Sequence, residues 1–234
     1  MKLQKMLERV DRTAITRKQK LLLYRAGVCP RLNWGLAILD LPTSWVTSSL
    51  EGMATRYLKK WSGLARSANT ARLYLPKTEG GLALPSISLL YKRLKVSQAS
   101  LLLMSRDKVT QEVVRRVLEK EENQLRVKFK PVSYSRDIMA EDPGMRRQTL
   151  ARRGKMKMTT EDATARREQA EALPLQGQLL RDSSSASDFV WATAVSTLDS
   201  EVLKFALNSA TDTLPHNSNL AKWNKGIHSN TCKL

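Results

Sequence analysis

Residues 44–61 constrain the fold of this chain more than any other stretch. Trp45, Leu50, Met53, Ala54, Tyr57, Leu58 and Trp61 recur at helical spacing and form one apolar stripe. Arg56, Lys59 and Lys60 gather near the far end, where the helix macrodipole favours cations, and Gly63 stops the run. Thr43 or Ser44 caps its start, just behind Pro42. Such a stripe needs another surface to cover it, and the rest of the chain offers more helices. Leu3, Leu7 and Val10 share a face within residues 1–28. Leu21, Leu22, Tyr24 and Val28 are the apolar side of a second run, with Thr16 as its cap, Gly27 as its expected end and Pro30 as a break. A short element at 32–39 carries Trp34. Pro85, with Ser86 or Ser88, opens a helix to about residue 104, with core positions at Ile87, Leu90, Tyr91, Leu94, Ala99, Leu101 and Leu102. Asp107 caps another to about residue 126. No apolar/polar alternation is long enough for a sheet, and no internal repeat occurs. The fold class is mainly α, a helical bundle.

The pattern weakens from 127 to about 160. Lys128, Lys130, Arg136, Arg146, Arg147, Arg152, Arg153, Lys155 and Lys157 cluster there with few apolar neighbours, which reads as a basic, flexible linker or arm. A helix follows at about 160–172, then Pro174, then Ser183-Ser184-Ser185, then two helices at roughly 187–198 and 199–210. The expected organisation is a bundle over 1–126, a basic arm with one helix over 127–180, and a small helical C-terminal piece over 181–234.

Charge narrows the partners. Lys and Arg number 40 against 22 Asp and Glu, a formal net charge of +18 over 234 residues. That excess points to a polyanion, RNA or DNA first, because basic side chains displace the counterions condensed on phosphates. No stretch approaches the ~18 apolar residues of a membrane span, and no signal-peptide core appears at the start, so an intracellular protein and no membrane are expected. Two distant cysteines, Cys29 and Cys232, do not make a disulfide framework.

Several short motifs occur in order: Lys20-Leu21-Leu22-Leu23-Tyr24, Gly27-Val28-Cys29-Pro30-Arg31-Leu32-Asn33-Trp34, Leu41-Pro42 with Trp45, and Lys59-Lys60-Trp61-Ser62-Gly63-Leu64. Ala68-Asn69-Thr70, Leu73-Tyr74-Leu75-Pro76, Gly80-Gly81-Leu82 and Leu84-Pro85-Ser86-Ile87 complete the series. Each is weak alone. In this order, residues 1–105 resemble the thumb region that follows the polymerase palm in reverse transcriptases of non-LTR (LINE-like) retrotransposons. A second resemblance to the same elements lies in Trp191, Glu201 to Asn208, Asp212-Thr213-Leu214-Pro215, Asn219-Leu220 and Trp223. It matches the stretch before the zinc-knuckle.

The resemblance implies a helical thumb that holds primer–template duplex. The candidate phosphate contacts are Lys18, Lys20, Arg25, Arg56, Lys59, Lys60, Arg66, Arg72 and Lys77. Trp34, Trp45 and Trp61, at helical spacing, are expected in the core, with base stacking as the alternative role. The implied parent activity is RNA-directed DNA polymerisation with Mg²⁺ in the nucleus, with RNA, DNA or the rest of the retrotransposon polyprotein as partners.

Catalysis is not expected of this chain alone. Polymerase chemistry needs paired carboxylates holding two metal ions, and the family carries them in an aromatic-x-Asp-Asp turn of the palm. No Asp-Asp pair occurs; Glu141-Asp142 and Glu161-Asp162 lack a strand before them. No cofactor is expected. Cys232 stands as a remnant of a truncated zinc site, because His216 and His228 precede it and a closed tetrahedral site needs four ligands. The expected reading is a fragment lacking the palm that still grips nucleic acid. The alternatives are a helical protein-interaction module or a degenerate gene fragment.

Overall fold

The computed structural model describes residues 2–124, 129–182, 191, 193–195, 197–215 and 219–221. Lys128, His216, Trp223, His228, Cys232 and the serine run at 183–185 lie outside them. Among the described residues the fold is mainly α, as the periodicity implies. Helix α1 covers Lys2–Arg12 and α2 covers Arg17–Leu23. A π-turn, Tyr24–Val28, carries α2 straight into α3, Cys29–Ile38. Gly27 therefore does not end a helix and Pro30 does not break one. The wider turn resets the hydrogen-bond register, so Pro30 falls in the first turn of α3, where a missing N–H costs nothing.

The stripe at 44–61 is likewise one helical path with a π-turn inside it: α4 at Thr43–Trp45, the turn at Val46–Glu51, then α5 at Gly52–Ser62. Gly63 ends it at φ +75°, in the left-handed region glycine favours. Next come α6, Ala71–Tyr74, and a 3-10 turn at Lys77–Glu79. Helix α7 covers Ile87–Leu103 and α8 covers Lys108–Asn123. Ser86 Oγ accepts from Leu89 N at 3.1 Å, and Asp107 Oδ2 accepts from Thr110 N at 2.7 Å, so both expected caps form. Residues 127–160, expected to be weakly ordered, contain α9 at Pro131–Glu141 and the start of α10 at Arg147–Glu171. Helices α11, Gln178–Asp182, and α12, Ser200–Ala210, follow, the latter capped by Asp199.

The chain forms two compact units, each built from three stretches. The first comprises residues 1–7, 24–53 and 85–164. Its centre is α7, which packs on α3, α8, α9 and the π-turn at 46–51. Ala99, Val114 and Val132 form one apolar cluster, and Ile138, Met145 and Leu150 another. Gly154 of α10 is buried against α7: a Cβ there would lie 2.7 Å from Val96 Cγ1. That close approach, with Leu150 buried one turn earlier, is why a basic stretch packs as helix. Buried Glu51 accepts from Ser86 Oγ at 2.7 Å and Ser88 N at 2.9 Å, tying the turn to the start of α7. Cys29 is buried, and burial pushes its thiol up to about 11, against the smaller opposing effect of a Tyr24 hydrogen bond. It is a packing residue, not a nucleophile.

The second unit comprises residues 8–23, 54–84 and 165–234. Its tightest element is residues 72–84, which folds back on itself. Leu82 N donates to Arg72 O at 2.8 Å, Leu84 N to Leu73 O at 2.9 Å and Ala83 N to Leu75 O at 2.9 Å. Gly80 turns at φ +71°, and Gly81 lies so close that a Cβ would sit 2.0 Å from Leu75 O. Asn208 of α12 is buried. Its Nδ2 donates to Gly63 O at 2.8 Å, and its Oδ1 accepts from Ala65 N at 3.1 Å and Thr213 Oγ1 at 2.9 Å.

Candidate nucleic-acid interface

The nine basic residues singled out above do not form one surface. Arg25 is exposed in the first unit, on the π-turn before α3. The other eight belong to the second unit, where the structure sorts them. Arg72 is only 4 % exposed and its Nη1 donates to Gly80 O at 3.0 Å, so it builds the 72–84 turn and cannot meet a phosphate. Lys59 points its ammonium at the loop after α5, donating to Arg66 O at 2.7 Å and Ala68 O at 2.5 Å. Burial there lowers its pKa, the mark of a lysine used as a clamp. Lys18 donates to Leu198 O, and Lys77 is half-buried on the 3-10 turn. Arg66 is exposed on the loop that Lys59 holds.

Lys20, Arg56 and Lys60 are left, and both lysines meet at Asp11. Lys60 Nζ meets Asp11 Oδ2 at 2.7 Å, while Lys20 Nζ donates to Asp11 O at 2.7 Å. Trp61 Nε1 donates to Asp11 Oδ1 at 2.9 Å. Burial works to raise the Asp11 pKa, but the hydrogen bonds from Lys60 and Trp61 and the charges of Lys60 and Lys20 outweigh it, so the carboxyl is held below its usual value. The last turn of α1, α2 and α5 thus meet at one point. Arg56 is exposed one turn before Lys60 on α5, and Arg12 is exposed next to Asp11. Lys60 pairs with the Asp11 carboxylate and Lys20 with its backbone carbonyl, and with two arginines close in sequence the corner is cationic in balance. Point charges on rigid helices suit the backbone of a nucleic acid, which positions a duplex without reading its sequence.

Asp11 and Arg12 were invisible to motif reading, because an acid among bases looks like charge balance. The tryptophans were the larger surprise. Trp61 is buried at 2 % exposure, as expected, but Trp45 is 40 % exposed and Trp34 78 %. The signal was present: Leu32 and Leu36 define the inner face of α3, and Trp34 lies off it.

The adjacent carboxylates serve structure. Glu141 pairs with Lys157 at 2.9 Å and Arg153 at 3.5 Å, offsetting the basic face of α10, and Glu161 accepts from Tyr134 Oη at 3.1 Å. Among the described residues no three His, Cys, Asp or Glu side chains come together as a metal site, and no helix is long and apolar enough to cross a membrane. No protein-family model matches the chain, and no curated protein matches it.

Proposed function

We propose that this chain grips the phosphate backbone of RNA or DNA, in the manner of the thumb of a non-LTR retrotransposon RNA-directed DNA polymerase. The observation that carries the reading is the convergence of Lys20 and Lys60 on Asp11, with exposed Arg56 one turn away, in a chain of net charge +18. The ordered motifs of residues 1–105 support the thumb comparison. Electrostatic contacts of this kind work on any phosphate backbone, so affinity depends on salt far more than on sequence.

The test is binding of the purified chain to labelled RNA, duplex DNA and RNA–DNA hybrid across a salt series, beside Arg56→Ala/Lys60→Ala. Each lost duplex contact should flatten the plot of log affinity against log salt by about 0.9, so the double variant should lose about 1.8. Lys59 is left intact, because it clamps the loop after α5 and its removal would test folding instead. Binding that ignores salt, or a slope the double variant leaves unchanged, would defeat the reading.

A further inference from the structure

We propose that the outer face of α3 is a stacking surface for the bases of single-stranded RNA or DNA, with Trp34 as platform and Arg31 as phosphate contact. The inference rests on nucleic acid being the chain's partner, but it uses residues of the first unit, apart from the corner around Asp11. Trp34 is 78 % exposed and Ile38, one turn on, 58 %. Arg31 is exposed one turn before. Positions 31, 34, 35 and 38 fall on one helical face. The opposite face is settled: Cys29 and Leu36 are buried and α3 packs on α7. Trp34 is therefore held on an ordered helix with its indole in water. A large aromatic in that position is the informative exception to burial.

Next to Trp34 the helix carries no side chain at Gly35, where a Cβ would meet nothing within 4 Å beyond its chain neighbours. The charge around it selects the ligand. α3 contains no acidic residue, Arg31 lies on it, and Arg25 is exposed on the turn that leads into it. An aromatic face beside a guanidinium matches a base followed by its phosphate. A duplex hides its base faces in the stack, so the ligand chemistry is single-stranded.

The experiment compares a labelled oligouridine with a blunt duplex of equal length, for the unaltered chain, Trp34→Ala, Trp34→Phe, Arg31→Ala and Arg56→Ala/Lys60→Ala. Trp34→Ala should weaken the single strand roughly 5- to 150-fold and leave the duplex unchanged, since one stacked base contributes that much. Trp34→Phe should keep most of the affinity. Arg31→Ala should flatten the single-strand salt slope by about 0.7. An unchanged single-strand affinity in Trp34→Ala overturns the proposal, as does an equal loss on both ligands. So does a Trp34-dependent dimer in sedimentation with single-strand binding intact. If the chain binds duplex through Arg56 and Lys60 but no single strand, this inference alone fails; if it binds neither, both readings fail.

Discussion

Replacing Asp11 by alanine and by asparagine separates the two tasks of the cationic corner. The carboxylate receives Lys60 at 2.7 Å and the Trp61 indole N–H at 2.9 Å. The Lys60 side chain is 66 % exposed, so water and salt screen that pair and it contributes only about 0.5 kcal/mol. Trp61 is 2 % exposed, and an indole N–H stranded there costs about 1–3 kcal/mol. Asp11→Ala should therefore destabilise by about 1.5–3.5 kcal/mol in urea unfolding. Asp11→Asn keeps an oxygen for the indole and should lose about 0.5–1 kcal/mol. Binding should move the other way: without the carboxylate Lys60 is no longer shared between Asp11 and phosphate, so Asp11→Asn should bind duplex more tightly, with a change in salt slope smaller than the ~0.9 of a full contact. The pH dependence follows from the lowered pKa of Asp11. Its contribution is present above the ordinary value of 3.8 and is lost as pH falls through the lower folded value. Asparagine should flatten that acid limb. Equal stability of the alanine variant and the parent, or unchanged duplex binding by the asparagine variant, would refute the reasoning.

Gly81→Ala places a methyl 2.0 Å from the backbone oxygen of Leu75, which cannot rotate away, so a loss of about 3 kcal/mol or more is expected in chemical unfolding. Gly154→Val drives a branched side chain into Val96, whose Cγ1 would lie 2.7 Å from the new Cβ, and should cost about 1–3 kcal/mol. Hydrogen exchange on the parent chain is the companion measurement: slow amides through the first turns of α10 are expected of a packed helix, and fast exchange there would restore the flexible-arm reading of residues 127–160.

The fold was legible where a cap and a periodic stripe agreed. Ser86 and Asp107 each accept from the backbone of the helix they open, and Gly63 closes α5 with a positive φ, whereas the cap expected of Thr43 or Ser44 does not form because Pro42 holds that position. Reading failed where a local breaker met a non-local rescue. Pro30 looked like a stop because sequence alone cannot show that a π-turn will place it at a first turn. The basic stretch before residue 160 looked unpacked because its apolar residues are sparse. Leu150 and Met158 are buried nonetheless, and Gly154 lets α10 approach α7 closely. Glycine carries no hydrophobic signal, so such a contact leaves no trace in periodicity.

The site was less legible than the fold, for a reason visible in the residues themselves. Several residues of the ordered motifs hold the chain together: Arg72 and Gly80-Gly81 shape one turn, Lys59 clamps a loop, and Asn208 bonds across to Gly63 and Ala65. A buried polar group needs a particular partner at a particular distance, so its neighbourhood reads as a motif. A phosphate contact needs only a cation on a rigid surface, so Lys20 and Lys60, although they lie in motif runs, carry no mark in the sequence that tells a contact from a structural base. Arg72 is the candidate most completely removed from solvent, while Trp34, expected in the core, is 78 % exposed. Substituting Arg72, Gly81 or Asn208 should change stability and leave the salt slope of the folded fraction alone, substituting Arg56 or Lys60 should flatten that slope, and substituting Trp34 should weaken single-strand affinity with the slope unchanged.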